Sequence, residues 1–116
     1  MITENLDRTF AALSDSTRRA ILMRLAKGES TVLQLAEPFN MSQPAVSRHL
    51  KVLEKAGLIS TTIRGQERPR RLEAAPLKEV IGWIEKNRQL WEERYNVLDG
   101  LLEELQTKQS KRDKLR

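Results

Sequence analysis

The residues best suited to chemistry in this 116-residue chain are cations, and they are clustered. Between Ser42 and Arg71 there are seven Lys or Arg residues and two Glu residues, so this segment accounts for the whole formal net charge of +5. The seven cations are Arg48, Lys51, Lys55, Arg64, Arg68, Arg70 and Arg71. A local field of this sign attracts a polyanion. On charge alone, a surface that only improves solubility is the alternative interpretation.

Several other chemistries are excluded by what the chain lacks. The sequence has no Cys and a single His, His49. The lack of Cys excludes a disulfide scaffold, a thiolate zinc site and a Cys nucleophile, and one His excludes a multi-His metal site within the chain. The five glycines are too scattered for a loop that cradles phosphate. We therefore expect no catalytic activity, no cofactor and no bound metal.

Length and apolar patterning indicate one globular domain. We predict a domain over residues 1–107 and a charged tail over residues 108–116 that frays. No apolar run exceeds four residues, whereas a membrane span needs roughly 20, so we expect no membrane partner. The N-terminus lacks the basic start and apolar core of a secretory signal, and we expect a cytoplasmic protein.

Apolar spacing predicts three short helices in the first part of the chain. They cover residues 6–13, residues 16–27 and a third segment that starts at Ser30 and Thr31 and includes Phe39, since apolar side chains recur there three or four residues apart. Gly28 is predicted to close the second helix as its C′ residue. Residues 38–41, Pro-Phe-Asn-Met, predict the turn that ends the third.

A fourth helix is predicted to start after Ser42, which is a good N-cap residue. Pro44 falls in its first turn, where a missing N–H costs nothing. The predicted buried stripe consists of Val46, Leu50 and Leu53. The residues off that stripe are Gln43, Ser47, Arg48, Lys51 and Lys55. Gly57 is predicted to supply the left-handed residue that ends the helix.

The periodicity then changes from that of a helix to that of a strand. Residues 59–64 alternate apolar and polar side chains, and residues 67–74 return as a second strand after a turn at Gly65. Pro69 restricts this second strand to an edge or a bulge. The predicted hairpin has a strongly basic tip.

A long helix is predicted from Pro76 to about Thr107. Its apolar residues fall seven apart, at Leu77, Ile84, Trp91, Leu98 and Leu105. The rest of the chain is too small to cover this stripe, so the pattern implies a partner helix, most simply from a second copy of the chain. Trp83, Trp91 and Tyr95 would pack in that interface or, alternatively, line a ligand pocket.

Two short helices joined by a tight turn and followed by a basic hairpin predict a mainly α winged helix-turn-helix with a small β-hairpin. The helix after Ser42 fits the DNA major groove, about 12 Å wide, and the hairpin arginines reach the adjacent minor groove or backbone. Whether Ser47 contacts a base or a phosphate is open, and His49 is either a DNA contact or a structural residue. The predicted contacts to double-stranded DNA are Ser42, Gln43, Pro44, Ser47, Arg48, His49, Lys51, Arg64, Arg68 and Arg70.

These segments resemble the ArsR family of bacterial winged-helix repressors. Residues 42–59, SQPAVSRHLKVLEKAGLI, resemble its recognition-helix signature, residues 10–29 its first two helices, and residues 62–77 its wing. The resemblance extends over about residues 6–105. It implies the order α1-α2-α3-α4-β-β-α5, a homodimer built by the first and last helices, and a repressor of palindromic operators. The interface it implies contains Leu6, Phe10, Leu77, Ile84, Trp91, Tyr95, Leu98 and Leu102.

Two departures from the family pattern argue against release by a metal ion, and the last helix, with Trp83, Trp91 and Tyr95, resembles the metal-free, autorepressor-like branch of the family. Many members sense metals through Cys on the third helix, and the matching residues 31–36 contain no thiol. Others use Asp and His on the last helix, which has no His here. Two alternatives stay open: a repressor released by an organic ligand near the dimer helices, and a winged-helix module whose basic face binds an acidic protein.

Overall fold

The computed structural model describes residues 2–114, which form helices and one small antiparallel sheet. The elements are α1(Ile2–Leu13), α2(Ser16–Leu25), α3(Val32–Phe39), α4(Gln43–Lys55), β1(Ile59–Thr61), β2(Arg70–Leu72) and α5(Ala75–Lys114). This order confirms the predicted winged helix-turn-helix. The chain divides into two compact units, one up to Ile81 and one from Gly82 onward, so that α5 contributes to both. That residues 1–107 form a single domain stays a prediction.

Local capping explains where α3 and α4 begin. Thr31 and Gln34 form a capping box, in which each side chain accepts a hydrogen bond from the backbone N–H of the other. Ser42 caps α4, because its hydroxyl accepts from the Ala45 N–H at 3.3 Å, and Pro44 lies in the first turn. The predicted start of the fourth helix is therefore confirmed.

The predicted end of the second helix is wrong. The second helix ends at Leu25 with Ala26 as its C-cap, so Gly28, at φ +151°, lies beyond the C′ position. The third helix ends within the predicted turn of residues 38–41: it runs through Pro38 to Phe39, and Asn40 ends it in the left-handed conformation at φ +52°. Gly57 ends α4 at φ +74°, as predicted.

The last helix runs past its predicted end near Thr107 to Lys114. The added residues include neither Gly nor Pro and consist mainly of Gln, Lys and Arg, which favour helix. Polarity alone therefore gave no stop signal. The final two residues of the predicted tail, 115 and 116, lie outside the described residues.

The regular strands of the hairpin are shorter than predicted. Beyond them, single backbone hydrogen bonds continue the pairing of the two segments. Ile59 to Thr61 pair with Leu72 to Arg70 in antiparallel register. Beyond them, the Thr62 N–H donates to the Pro69 carbonyl at 2.9 Å, and Arg64 and Glu67 exchange hydrogen bonds around the turn. Pro69 interrupts the ladder because it has no N–H to donate. We call residues 59–72 the wing.

The core of the first unit lies beneath α4. Its buried members are Ala12, Ile21, Leu22, Leu25, Leu35, Ala36, Val46, Leu50, Leu53, Leu58 and Ile59. They come from α1, α2, α3, α4 and residues 58 and 59, where the wing begins, so the same apolar cluster fixes all of these elements. Because one face of α4 packs against this shared core, its opposite face is available for contacts.

The second unit is helical, and its apolar side chains are exposed within one chain. Ile84, Trp91 and Leu98, seven residues apart, are 41%, 40% and 51% exposed. Trp83 and Trp91 meet edge to face, with ring centroids 5.7 Å apart. An exposed apolar stripe of this length is unusual in a monomer.

Candidate nucleic-acid interface

The face of α4 that points away from the core is polar and cationic. Val46, Leu50 and Leu53 are 0%, 2% and 0% exposed, which fixes the rotation of the helix about its axis. The residues exposed on the other side include Gln43, Pro44, Arg48 and Lys51, whereas Ser47 is half-buried. We call α4 the recognition helix, and its sequence-predicted residues divide into the two faces that the apolar spacing indicated.

Two of the three cations on this outward face, Arg48 and Lys51, are not engaged elsewhere in the described residues. Neither Arg48 nor Lys51 forms a hydrogen bond or an ion pair within residues 2–114. A guanidinium with this freedom can donate in a bidentate manner to a guanine edge or to a phosphate, whereas an ammonium acts as a point charge.

The arginines nearest the wing tip are held by neighbouring groups. Arg64 forms an ion pair with Glu29, which follows α2. Arg68 donates from Nη1 to the carbonyls of Gly65 and Glu67, at 3.0 and 2.9 Å. Arg64 and Arg68 are both exposed, so the wing carries two cations at its surface, and these local contacts hold their guanidinium groups.

At the base of the wing, Arg70 and Arg71 have opposite surroundings. Arg70 is half-buried, exchanges two backbone hydrogen bonds with Ser30, and keeps its Nε buried without a partner. Arg71 is exposed, and its Nη2 pairs with Glu73 Oε1 at 3.2 Å. The Ser60 hydroxyl donates to the same carboxylate oxygen, and this bond, followed by the Arg71 guanidinium, lowers the pKa of Glu73. The prediction selected Arg70 rather than Arg71 for DNA contact, although Arg71 is the more exposed.

His49 belongs to a polar cluster that joins three helices and that the sequence did not reveal. Its Nδ1 lies 3.4 Å from Arg18 Nη1 and 3.8 Å from Asp15 Oδ2. Asp15 is the N-cap of α2 and accepts from the Arg18 backbone N–H at 3.0 Å, which is the main reason that the pKa of Asp15 is lowered. An N-cap three residues before Arg18 is a local signal, but nothing in the sequence connects either residue to His49.

The residues predicted for a dimer interface lie on both units of the chain. In α1, Leu6 is half-buried and Phe10 is 39% exposed. In α5, Leu77 packs against the core, whereas Tyr95 and Leu102 are 67% and 48% exposed. Ile84, Trp91 and Leu98 complete the exposed set on α5.

A helix pair joined by a tight turn, an outward cationic helix face and a basic hairpin define a winged helix-turn-helix DNA-binding protein. The comparisons with known proteins agree with this class. Residues 15–61 match the model of the arsR family of bacterial regulatory proteins. The chain belongs to the arsR family and is a DNA-binding transcriptional regulator, so it is not an enzyme.

Relatives of known name support this membership over most of their length. The chain is 39% identical over 79 residues to the transcriptional repressor SdpR of Bacillus subtilis, which covers 68% of this chain and 88% of that protein. It is 36% identical to the arsenical resistance operon repressor of Staphylococcus aureus, over 70% of this chain and 78% of the relative. A solved ArsR-like transcriptional regulator from Rhodococcus sp. RHA1 superposes with a TM-score of 0.72 at 29% identity, over 85% and 93% of the two chains.

Neither a membrane span nor a metal cluster is found in the part of the chain that the structure describes. Within residues 2–114, no helix is long and apolar enough to cross a bilayer. Over the same residues, no three His, Cys, Asp or Glu side chains group closely enough to hold a metal ion.

Proposed function

We propose that the protein is a repressor that binds a palindromic operator as a homodimer, with one recognition helix in each of two successive major grooves. The observation that carries this proposal is the outward face of α4, where Arg48 and Lys51 have no partner in the described residues. A repressor acts by occupying DNA, so its cations must be free for the duplex. Such a protein works where the chromosome lies, which in a bacterium is the cytoplasm.

The predicted contacts divide by the chemistry of each side chain. Gln43 and Arg48 carry the groups that pair adenine and guanine edges, whereas Ser42 and Lys51 suit phosphate oxygens. Pro44, Ser47 and His49 complete the predicted set on the recognition helix. The wing contributes Arg64, Arg68 and Arg70, which we assign to the adjacent groove or backbone. Hydrogen bonds to backbone carbonyls hold Arg68 and Arg70, and the pair of Arg64 with Glu29 must open for Arg64 to contact DNA.

The homodimer is supported by the apolar stripe of α5. Apolar residues spaced by seven form one helical face, and that face is about half exposed in a single chain at Ile84, Trp91, Leu98 and Leu105. A second copy covers it by symmetry, and we assign Leu6 and Phe10 of α1 to the same interface. Two-fold symmetry then sets the half-sites about 34–36 Å apart, one turn of DNA.

We further propose that no metal ion triggers release. The chain has no Cys and one His, which removes the ligands that zinc and arsenic(III) prefer. Titration with Zn²⁺ and with arsenite during operator binding tests this point. Affinity that falls in proportion to either ion would contradict it.

The decisive experiment for the operator is selection of bound sequences from a random DNA pool. We expect an inverted repeat whose half-sites are separated by one helical turn. A single motif without an inverted repeat would refute operator binding by a homodimer. If no sequence is enriched at low salt, the result would favour a protein partner for the basic face.

The role of Arg48 is tested with the selected operator. Arg48→Ala should weaken binding and relax base preference at one position in each half-site. Arg24→Ala is the matched control, because Arg24 is an exposed arginine of α2 that donates to the Gly28 carbonyl. Equal weakening on every sequence would assign Arg48 to the phosphate backbone instead.

The interface is tested by adding a charge on one side of α5 at a time. Leu98→Glu places a carboxylate within the apolar stripe, and we expect monomers in analytical ultracentrifugation and loss of operator binding. Asn96→Glu adds the same charge about 200° around the helix and should leave the dimer intact. Dimers in both variants would remove α5 from the interface.

A further inference from the structure

The Arg18 side chain is the only part of the described protein that links α1, α2 and the recognition helix through one polar group. Its Nε donates to the Ala12 carbonyl at 2.8 Å and its Nη2 to the Ala11 carbonyl at 3.0 Å, both in the last turn of α1. Its Nη1 lies 3.4 Å from His49 Nδ1 on α4. The planar guanidinium spans all three acceptors at once, which no other side chain can do.

This contact determines which nitrogen of His49 carries the proton. A guanidinium only donates, so His49 Nδ1 must accept from Arg18 and cannot itself hold a hydrogen. The competing partner of Nδ1 is Asp15 Oδ2, but it is 3.8 Å away and already accepts the Arg18 backbone N–H. The neutral ring is therefore fixed with its hydrogen on Nε2.

The Nε2–H group of His49 has no acceptor within residues 2–114. The one buried side-chain nitrogen or oxygen without a partner in these residues belongs to Arg70, so Nε2 reaches solvent. His49 directly follows Arg48 on the recognition helix, and its side chain is 22% exposed. A partly exposed N–H donor held at this position of the recognition helix suits an anionic acceptor such as a phosphate oxygen of DNA.

We propose that Arg18 is a positioning residue for DNA binding: it holds His49 as the Nε2–H tautomer and thereby presents that N–H to a backbone phosphate. The inference rests on the proposed function, since it needs the recognition helix at the duplex. In this proposal Arg18 itself does not contact DNA, and its influence passes through the His49 ring.

The first test is spectroscopic and needs no DNA. Because His49 is the only His in the chain, protein labelled with ¹⁵N-histidine gives the two nitrogen signals of one ring. At a pH well above the range in which imidazole ordinarily titrates, we expect Nδ1 to be fully unprotonated and Nε2 fully protonated. Arg18→Gln should produce a mixture of both tautomers. A hydrogen on Nδ1 in the wild-type protein, or no change in Arg18→Gln, overturns the proposal.

The second test measures affinity for the selected operator. Arg18→Gln should weaken binding on the order of tenfold, the effect of one hydrogen bond to a charged group. Arg19→Gln is the matched control: Arg19 also donates to a carbonyl at the end of α1, Leu13 at 2.8 Å, but within residues 2–114 it forms no hydrogen bond or ion pair with α4. A similar loss in both variants would assign the effect to α1 capping or to net charge and overturn the positioning role.

Variants of His49 keep the proposal testable even if Arg18→Gln does not fold. His49→Phe should weaken binding about as much as Arg18→Gln, and equally on all DNA sequences. His49→Gln keeps an N–H donor at similar reach and should restore most of the affinity. The double variant Arg18→Gln/His49→Phe should bind no more weakly than His49→Phe alone. Additive losses, or failure of His49→Gln to restore binding, would contradict the proposal.

Failure of the proposed function is separately visible. If neither the wild-type protein nor Arg19→Gln enriches DNA, the operator-binding proposal fails while the tautomer measurement stands by itself. If both bind and Arg18→Gln binds equally well, only the positioning role is refuted.

Discussion

Replacing Glu29 by Gln should increase operator affinity by releasing a wing cation. In the free protein, the Glu29 carboxylate holds the Arg64 guanidinium in an ion pair. If Arg64 contacts DNA phosphate, that pair must break on binding. Its free energy is then subtracted from the free energy of association, and Glu29→Gln removes this cost.

The size of the effect follows from the exposure of the pair. The Arg64 side chain is 63% exposed and that of Glu29 26%, so solvent screens their attraction. Pairs of this kind contribute about 0.2–1 kcal/mol. At about 1.4 kcal/mol per factor of ten, Glu29→Gln should tighten binding by between about 1.4-fold and about fivefold.

The assay is fluorescence anisotropy with labelled operator at fixed salt, with the substitution made in two backgrounds. Loss of a negative charge strengthens DNA binding in general, so Glu37→Gln is the charge control, because it alters an exposed carboxylate of α3 that has no ion pair within residues 2–114. In protein that already carries Arg64→Gln, the specific gain from Glu29→Gln should disappear. An equal gain with and without Arg64 would refute the reasoning and leave only a general charge effect.

Three further predictions concern the stability of the first unit, measured by urea or thermal unfolding at one protein concentration. Leu53→Ala should lower the free energy of unfolding by about 3 kcal/mol, because Leu53 is fully buried. Val52→Ala is the control: Val52 is 39% exposed, so this change should lower the free energy of unfolding by less than about 1 kcal/mol. Similar losses in the two variants would contradict the described core. Gly57→Ala should destabilise by about 1–2 kcal/mol, because φ is +74°, and an unchanged midpoint would argue against that conformation. The Ser60 hydroxyl and a neighbouring Arg lower the pKa of Glu73, so its stabilisation is complete above the usual carboxyl pKa and is lost as pH falls through the lowered value. The wild-type protein should therefore lose more stability than Glu73→Gln between about pH 5 and pH 3, and parallel curves would exclude the effect.

Features governed by local chemistry were predictable from the sequence. Ser42 and Pro44 fix the start of the recognition helix through capping and a fixed φ, and Gly57 fixes its end through a left-handed residue. The apolar spacing of Val46, Leu50 and Leu53 fixed which face is buried. With the start, the end and the rotation of one helix known, the set of outward residues follows.

Features that depend on contacts distant in sequence were not predictable. Arg18 and His49 are 31 residues apart, and neither belongs to a spacing pattern that links them. Arg70 and Arg71 alternate along one strand, but which of them turns inward depends on backbone pairing with Ser30, a loop residue with no strand signal of its own. The end of α5 was missed for a different reason. Its last residues are polar, so they show no apolar periodicity that predicts a helix, and they include neither Gly nor Pro that would end one.

The pairing of Ser30 with Arg70 has a consequence for the thermodynamics of association. The Ser30 N–H donates to the Arg70 carbonyl at 3.0 Å, and the Arg70 N–H donates to the Ser30 carbonyl at 2.7 Å, so the hairpin is tied to the loop between α2 and α3 before any ligand arrives. Ordering a free loop costs about 1–2 kcal/mol of conformational entropy for each residue, and in this protein that loss is incurred during folding. The wing should accordingly bind a duplex as a preordered element, without a disorder-to-order transition. The affinity then depends on how well its shape and charge complement those of the DNA.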